Sequence, residues 1–177
     1  SGVIQDTEAA YAIAIQYGMV NDEYLEDFSQ NYVNVCAQGY NNIPFTISTG
    51  FYGTGKVLPA LTKTGKIQEA YAMFEQTEYA SWLYPVVNGA TSIWERWNGY
   101  TIENGFSGNN GMNSFNHYSA GACGEWMVNY QIGIMNDEEN PGFQHFILQP
   151  TPGGSFTYVN GAYTSVYGRI ESNWTAE

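Results

Sequence analysis

Ala9-Ala-Tyr-Ala-Ile-Ala-Ile15 is small and apolar on nearly every side, and the fold class turns on it. The spacing predicts a helix from Gln5 to Met19, capped by Asp6 or Thr7, with Glu8 at its positive N-terminal end. A helix that is apolar all round is buried among other helices. Gly18 ends it, and Asn21 caps a second helix predicted from Asp22 to about Gln38. There Tyr24, Leu25, Phe28, Tyr32, Val35 and Cys36 recur at near three-to-four spacing with acidic residues between them, the pattern of an amphipathic outer helix. After a loop with Asn41, Asn42 and Pro44, glycines 50, 53 and 55 bring the backbone close to a neighbour before a third helix, Lys56 to Lys63. The lone GxG there precedes no βαβ unit, so it is not a nucleotide fingerprint. A fourth helix, Ile67 to Gln76, turns Ala70, Tyr71, Met73 and Phe74 inward. Helix pairs joined by glycine turns, alternately buried and amphipathic, predict a mainly α array of helical hairpins.

Ala80 to Gly89 is a short helix or extended segment broken by Pro85, and it presents Trp82 and Tyr84. It leads into Ala90-Thr-Ser-Ile-Trp-Glu-Arg-Trp-Asn98, where one carboxylate, Glu95, lies between two indoles beside Arg96. A chain with only five Lys and Arg gains little from a routine surface arginine here. Apolar walls exclude water and indole faces stack on the C–H-rich faces of sugars, so this constellation suits glycoside chemistry. Its structural alternative is a buried Glu–Arg pair locking two packed helices. On an extended segment Trp97 shares the Glu95 face, and Trp94 shares the Arg96 face. Asn98 to Met112 is Gly- and Asn-rich and is predicted to be a long loop with little regular structure. A last long helix is predicted from Asn113 to about Ile134, with Asn113, His117, Gly121 and Glu125 along one face. His117 is either a ligand for a hydroxyl or carboxylate, or a core histidine satisfied by a carbonyl.

Past Asn136-Asp-Glu-Glu-Asn-Pro141 the pattern changes to short strands: Phe143–Leu148, Phe156–Val159 and Ala162–Val166, with Asn160-Gly161 as a hairpin turn. These readings give a helical domain over residues 1–140 and an incomplete β-domain over residues 141–177.

Charged residues make up only 12% of the chain, against about 25% in ordinary globular domains. The net charge of −12 repels nucleic acid and anionic membrane surfaces, so neither is an expected partner, whereas a neutral glycoside is compatible. No apolar run reaches the length of a membrane span, and the N-terminus shows no signal-peptide pattern. Cys36 and Cys123 either pair or remain buried thiols. The two histidines and two cysteines have no ligand spacing, so no metal or other cofactor is expected.

Ile47-Ser-Thr-Gly-Phe-Tyr-Gly-Thr54, Tyr79-Ala-Ser-Trp82, Gly89-Ala-Thr-Ser-Ile-Trp-Glu-Arg-Trp97, Met112-Asn-Ser-Phe-Asn-His-Tyr118, Gly121-Ala-Cys-Gly-Glu-Trp126, Pro141-Gly-Phe143 and Pro150-Thr-Pro-Gly-Gly154 occur in that order. Together they resemble the C-terminal part of bacterial α-L-rhamnosidases of glycoside hydrolase family 78, over roughly Gln5 to Ile170. The resemblance implies the C-terminal portion of an (α/α)6 barrel followed by the first strands of a β-sandwich. It also implies inverting hydrolysis of terminal α-L-rhamnose, with Glu95 as general base and His117 in the sugar pocket. Trp97 and Trp82 are the expected stacking surfaces, and Arg96 either supports Glu95 or anchors its loop.

The family's general acid lies in an upstream Arg-Asp-Glu motif that this sequence lacks. The expected partners are therefore a rhamnose-containing glycoside and the missing N-terminal part of the barrel, with self-association through exposed helix faces as the alternative. Two other function classes stand beside this one. One is a non-catalytic sugar-binding or scaffold fragment, and the other is a different (α/α)6 glycosidase or polysaccharide lyase. An acidic, Asn- and Tyr-rich surface favours secretion from a bacterium over the cytoplasm.

Overall fold

Thr7 opens the first helix, α1 (Glu8–Gln16), by accepting the Ala10 N–H on its hydroxyl at 3.3 Å. The computed structural model describes residues 5–108 and 111–176, which divide into two compact units at residues 123 and 124. Residue 140, the domain limit read from the sequence, lies inside the second unit.

In the first unit α1 packs against α2 (Asp22–Gln38) and α3 (Phe51–Lys63), and α3 packs against α4 (Ile67–Phe74). Tyr11, Ala12 and Ile15 are buried, and no residue of α1 is fully exposed. Ala9, Ala10, Ile13, Ala14 and Gln16 are half-buried. Across from α1, Tyr32 and Cys36 of α2 are buried, and Tyr32 donates its hydroxyl to the Val57 carbonyl at 3.1 Å. Tyr24, assigned to the same inward stripe, stays 58% exposed.

The third helix starts five residues earlier than its apolar pattern indicated, so Gly53 and Gly55 lie within it. A β-carbon on Gly53 would come within 2.9 Å of Ala9 Cβ, so glycine is what permits the close approach of α1. That contact offsets the roughly 1 kcal/mol that glycine costs a helix interior.

A five-residue helix, α5 (Leu83–Val87), carries Pro85. The loop expected over Asn98–Met112, of which residues 109 and 110 lie outside the described residues, holds a small hairpin. Its strands, β1 (Tyr100–Thr101) and β2 (Gly105–Phe106), pair Tyr100 with Phe106.

The long helix predicted from Asn113 does not form there. Helical structure begins only with the 3-10 turn Tyr118–Ala122. Ser114 exchanges hydrogen bonds with Glu95, and the His117 N–H goes to the Ile93 carbonyl at 2.8 Å. Backbone groups that a helix would pair with each other are claimed by a distant segment, and period-four spacing cannot reveal this. Asn113 and His117 thus do not share a helix face with Gly121 and Glu125.

The second unit begins at Gly124 within α6 (Cys123–Trp126) and runs through a π-turn (Met127–Ile132) into β3 (Ile134–Asn136), which pairs antiparallel with β4 (Phe146–Leu148). β5 (Tyr158–Ser165) pairs along its length with β6 (Gly168–Thr175). Asn160-Gly161 is not the turn: β5 passes straight through it, and the chain reverses at Val166-Tyr167. A side chain at Gly161 would collide with Ile132, whose Cδ1 would lie 2.3 Å from the added β-carbon, so this glycine serves packing. β6 carries no plain apolar alternation, since one of its inward positions is Ser172, whose hydroxyl donates to the Ile132 carbonyl at 2.7 Å. Trp174 Nε1 donates to the Gln131 carbonyl at 2.8 Å. The expected mainly α chain therefore combines helices with three two-stranded sheets among the described residues. No helix among them is long and apolar enough to cross a membrane.

Candidate functional site

Glu95 and Ser114 bind each other twice. The Glu95 N–H donates to the Ser114 carbonyl at 2.9 Å, and the Ser114 N–H donates to Glu95 Oε2 at 2.8 Å. Two residues earlier, Ile93 takes the His117 N–H, and the Ser92 hydroxyl donates to the Phe115 carbonyl. These bonds lay the Ser92–Glu95 segment beside Ser114–His117 and fix the direction of the carboxylate through main chain. Trp94 is buried, edge-on to Phe115 at 5.2 Å and to Tyr100 at 6.3 Å.

Beyond Trp94 the chain opens a cavity of about 440 Å³. Glu95, Arg96, Trp97 and Asn98 line it together with Thr49, Gly50, Phe51 and Thr54. Tyr79, Met112 and Ala120 complete the lining. The expectation that Trp97 shares a side with Glu95 agrees with this arrangement. Arg96 does not face away, however: irregular backbone at 94–98 breaks strict alternation and brings it to the same cavity. Among the described residues Arg96 forms no ion pair with Glu95, so the locking pair weighed from the sequence is not formed.

Burial, together with the neighbouring Tyr40, pushes the Tyr79 hydroxyl up, while Arg96 pulls it down. Tyr79 thus remains a neutral hydrogen-bonding group on this wall. No group of three or more His, Cys, Asp and Glu side chains among the described residues is arranged to hold a metal ion.

Trp82 and His117 sit behind the lining. Trp82 is 6% exposed, donates Nε1 to the Ala120 carbonyl at 2.7 Å and meets Trp97 edge-on at 6.0 Å. Its edge contact supports the Trp97 indole. His117 stacks on Phe51 at 4.8 Å, and its Nδ1 faces the Ser119 N–H at 3.4 Å. It reaches the cavity through Phe51, not directly.

The sequence left Thr49, Thr54, Tyr79 and Met112 without individual roles, although each lies in or beside a quoted motif. Glu8, at the helix end, is 1% exposed and accepts the Ser48 N–H at 2.8 Å.

Residues 1–131 match the bacterial alpha-L-rhamnosidase 6 hairpin glycosidase domain, and residues 133–177 match the bacterial alpha-L-rhamnosidase C-terminal domain. The chain belongs to the bacterial alpha-L-rhamnosidase family. It is 34% identical over 170 residues to an alpha-L-rhamnosidase of Streptomyces avermitilis, covering 96% of this chain and 16% of that protein. An alpha-L-rhamnosidase of Formosa agariphila is 32% identical over 177 residues, covering 98% and 18%. The crystal structure of the Streptomyces avermitilis enzyme complexed with L-rhamnose superposes with a TM-score of 0.90 at 33% identity, over 99% of this chain and 16% of that one. The native Aspergillus terreus enzyme gives 0.88 at 30% identity, over 97% and 19%. This rhamnosidase-family chain therefore spans less than a fifth of the length of these relatives.

Proposed function

We propose that this chain supplies the general-base half of an inverting α-L-rhamnosidase site. In this reading its helices close an (α/α)6 barrel and its strands begin a β-sandwich. The observation that carries the proposal is the Glu95 carboxylate, held through Ser114 at a cavity walled by Trp97 and Arg96. The Ser114 N–H occupies Oε2, which leaves Oε1 to accept a proton from water.

In an inverting glycosidase one carboxylate activates that water, while a carboxylic acid roughly 6.5–9.5 Å away protonates the departing oxygen. Glu95 fills the first role. The second falls to a group outside this chain, so the substrate, a rhamnose-containing glycoside, meets the full machinery only in the whole protein. Trp97 offers its indole to the apolar sugar face, and Trp82 braces it. His117 acts on the sugar through Phe51.

The test is Glu95→Gln in the whole protein, assayed on an aryl α-L-rhamnoside. The carboxamide keeps an oxygen for the Ser114 N–H but cannot take a proton. Turnover is expected to fall by about 10²–10⁴-fold, the range for losing a general base, with L-rhamnose binding retained. For the unmodified protein, proton NMR is expected to show the β-anomer of rhamnose first. Turnover near that of the unmodified protein in the variant refutes the assignment. Rhamnose binding by the unmodified protein without any turnover indicates a sugar-binding scaffold instead.

A further inference from the structure

We propose that Glu8 is a positioning residue for this cavity: its buried carboxyl, hydrogen-bonded to Ser48, fixes the Thr49–Phe51 wall. Thr7 already caps α1, so the helix end does not need Glu8, and a carboxyl serving only the helix dipole would stay in water. Glu8 is instead 1% exposed and spans 40 positions of sequence to take the Ser48 N–H at 2.8 Å. Burying a carboxyl is costly unless its hydrogen bonds compensate, and here both the main chain and the side chain of Ser48 contribute.

Residues 46–50, leading into α3, have no regular structure of their own. They are fastened on one side by the Ile47 N–H, which donates to the Ala80 carbonyl at 2.8 Å, and on the other by Glu8. The next residue, Thr49, meets the Thr54 hydroxyl at 2.9 Å, and Thr49, Gly50, Phe51 and Thr54 all line the cavity. One residue after Glu8, Ala9 packs so closely on Gly53 that no side chain fits between them. A single helical turn thus anchors both ends of this part of the cavity lining. Glu8 lines no part of the cavity, so its effect is on how substrate is held, not on the chemistry.

The kinetic side of this proposal rests on the rhamnosidase reading above; the wall itself does not. The experiment uses the whole protein with Glu8→Leu, Glu8→Asp and Glu8→Gln, measuring KM and kcat on an aryl α-L-rhamnoside and amide hydrogen exchange at Ile47–Phe51. Leucine removes the acceptor, aspartate withdraws it by one methylene while keeping the charge, and glutamine keeps an oxygen in place. The leucine and aspartate variants are expected to raise KM about tenfold, the cost of one hydrogen bond, with kcat within about twofold. Exchange at Ser48 is expected to rise by a similar factor, while Ile47, still bonded to Ala80, is unchanged. Glutamine is expected to restore both. Should leucine fail to fold, aspartate carries the test.

Unchanged KM and Ser48 exchange in the aspartate variant overturn the proposal, as does a fall in kcat at constant KM or a failure of glutamine to rescue. If the unmodified protein hydrolyses no rhamnoside yet Ser48 exchange responds as described, the rhamnosidase reading falls and the anchoring role of Glu8 stands.

Discussion

Glu8→Gln also has a consequence for stability that can be worked out in advance. Burial pushes the Glu8 carboxyl up from 4.5 to about 7, against the hydrogen bonds from Ser48 that pull it down. Across from it on α2 lie Tyr32 and Cys36, whose own protons burial holds more tightly still. The unfolded chain releases the Glu8 proton near 4.5 and the folded chain near 7, so between those values the folded state binds more protons. Stability contributed by this group is therefore complete below about pH 4.5, declines as pH rises towards 7, and levels off above it.

The size follows from the gap: at about 1.4 kcal/mol per pH unit it amounts to about 3 kcal/mol, a large share of the roughly 5–15 kcal/mol that holds a domain folded. Glutamine keeps the acceptor and the shape but has nothing to ionise. Urea unfolding followed by tryptophan fluorescence, at pH 5 and pH 8 in both proteins, isolates the difference, because every other titrating group is common to both. The stability of the variant relative to the parent is expected to rise by about 2–3 kcal/mol between the two conditions. A relative stability that stays constant within about 0.5 kcal/mol refutes the reasoning, since it means that Glu8 ionises normally and is not desolvated.

Two further outcomes follow from packing. Gly161→Ala is expected to cost the second unit about 1–3 kcal/mol in urea titrations, because the new methyl meets Ile132 Cδ1 at 2.3 Å; Ile132→Val, which removes that carbon, is expected to recover part of the loss. Trp82→Phe strips the Ala120 carbonyl of its 2.7 Å donor and is expected to lower stability by about 1–3 kcal/mol while raising KM, because Trp97 loses the indole behind it. Thermal denaturation and steady-state kinetics check the two effects separately.

The sequence and the structure agree where a single helix face carries the information. α2 occupies the span that its apolar stripe and acidic intervals marked, and Ala70, Tyr71, Met73 and Phe74 are buried as their spacing required. Glu95 and Trp97 line one cavity, but Arg96 lines it too, so the strand alternation that paired them does not hold. The misreadings share a physical cause. At Asn113–His117 a period of four suggested a helix, but the N–H groups there are spent on Glu95 and Ile93, about 20 positions back. At Asn160-Gly161 the local turn signal was strong, yet the glycine answers to Ile132, about 30 positions earlier. Glu8 looked like an ordinary first-turn carboxylate because its partner lies 40 positions on. Local pattern cannot report a bond whose other half is so far along the chain.

Those same long-range bonds decide what the candidate site tolerates. Glu95 and Ser114 meet through the Ser114 backbone, and the Ser114 hydroxyl is turned instead to the Asn116 N–H at 3.1 Å. Glu8 likewise takes hold of the Ser48 amide, and the Trp82 indole that of the Ala120 carbonyl. At each junction one partner contributes a side chain and the other contributes backbone, which every residue except proline supplies in full, with the Ser48 side chain adding to its amide. The contributing side chains Glu8, Trp82 and Glu95 are therefore the positions where substitution reaches the cavity. Ser48, Ser114 and Ala120 contribute chiefly by where the backbone lies. The constraint on the cavity thus rests on a few well-separated side chains and on the path of the main chain between them. That is why walls of irregular backbone can hold a carboxylate in one direction.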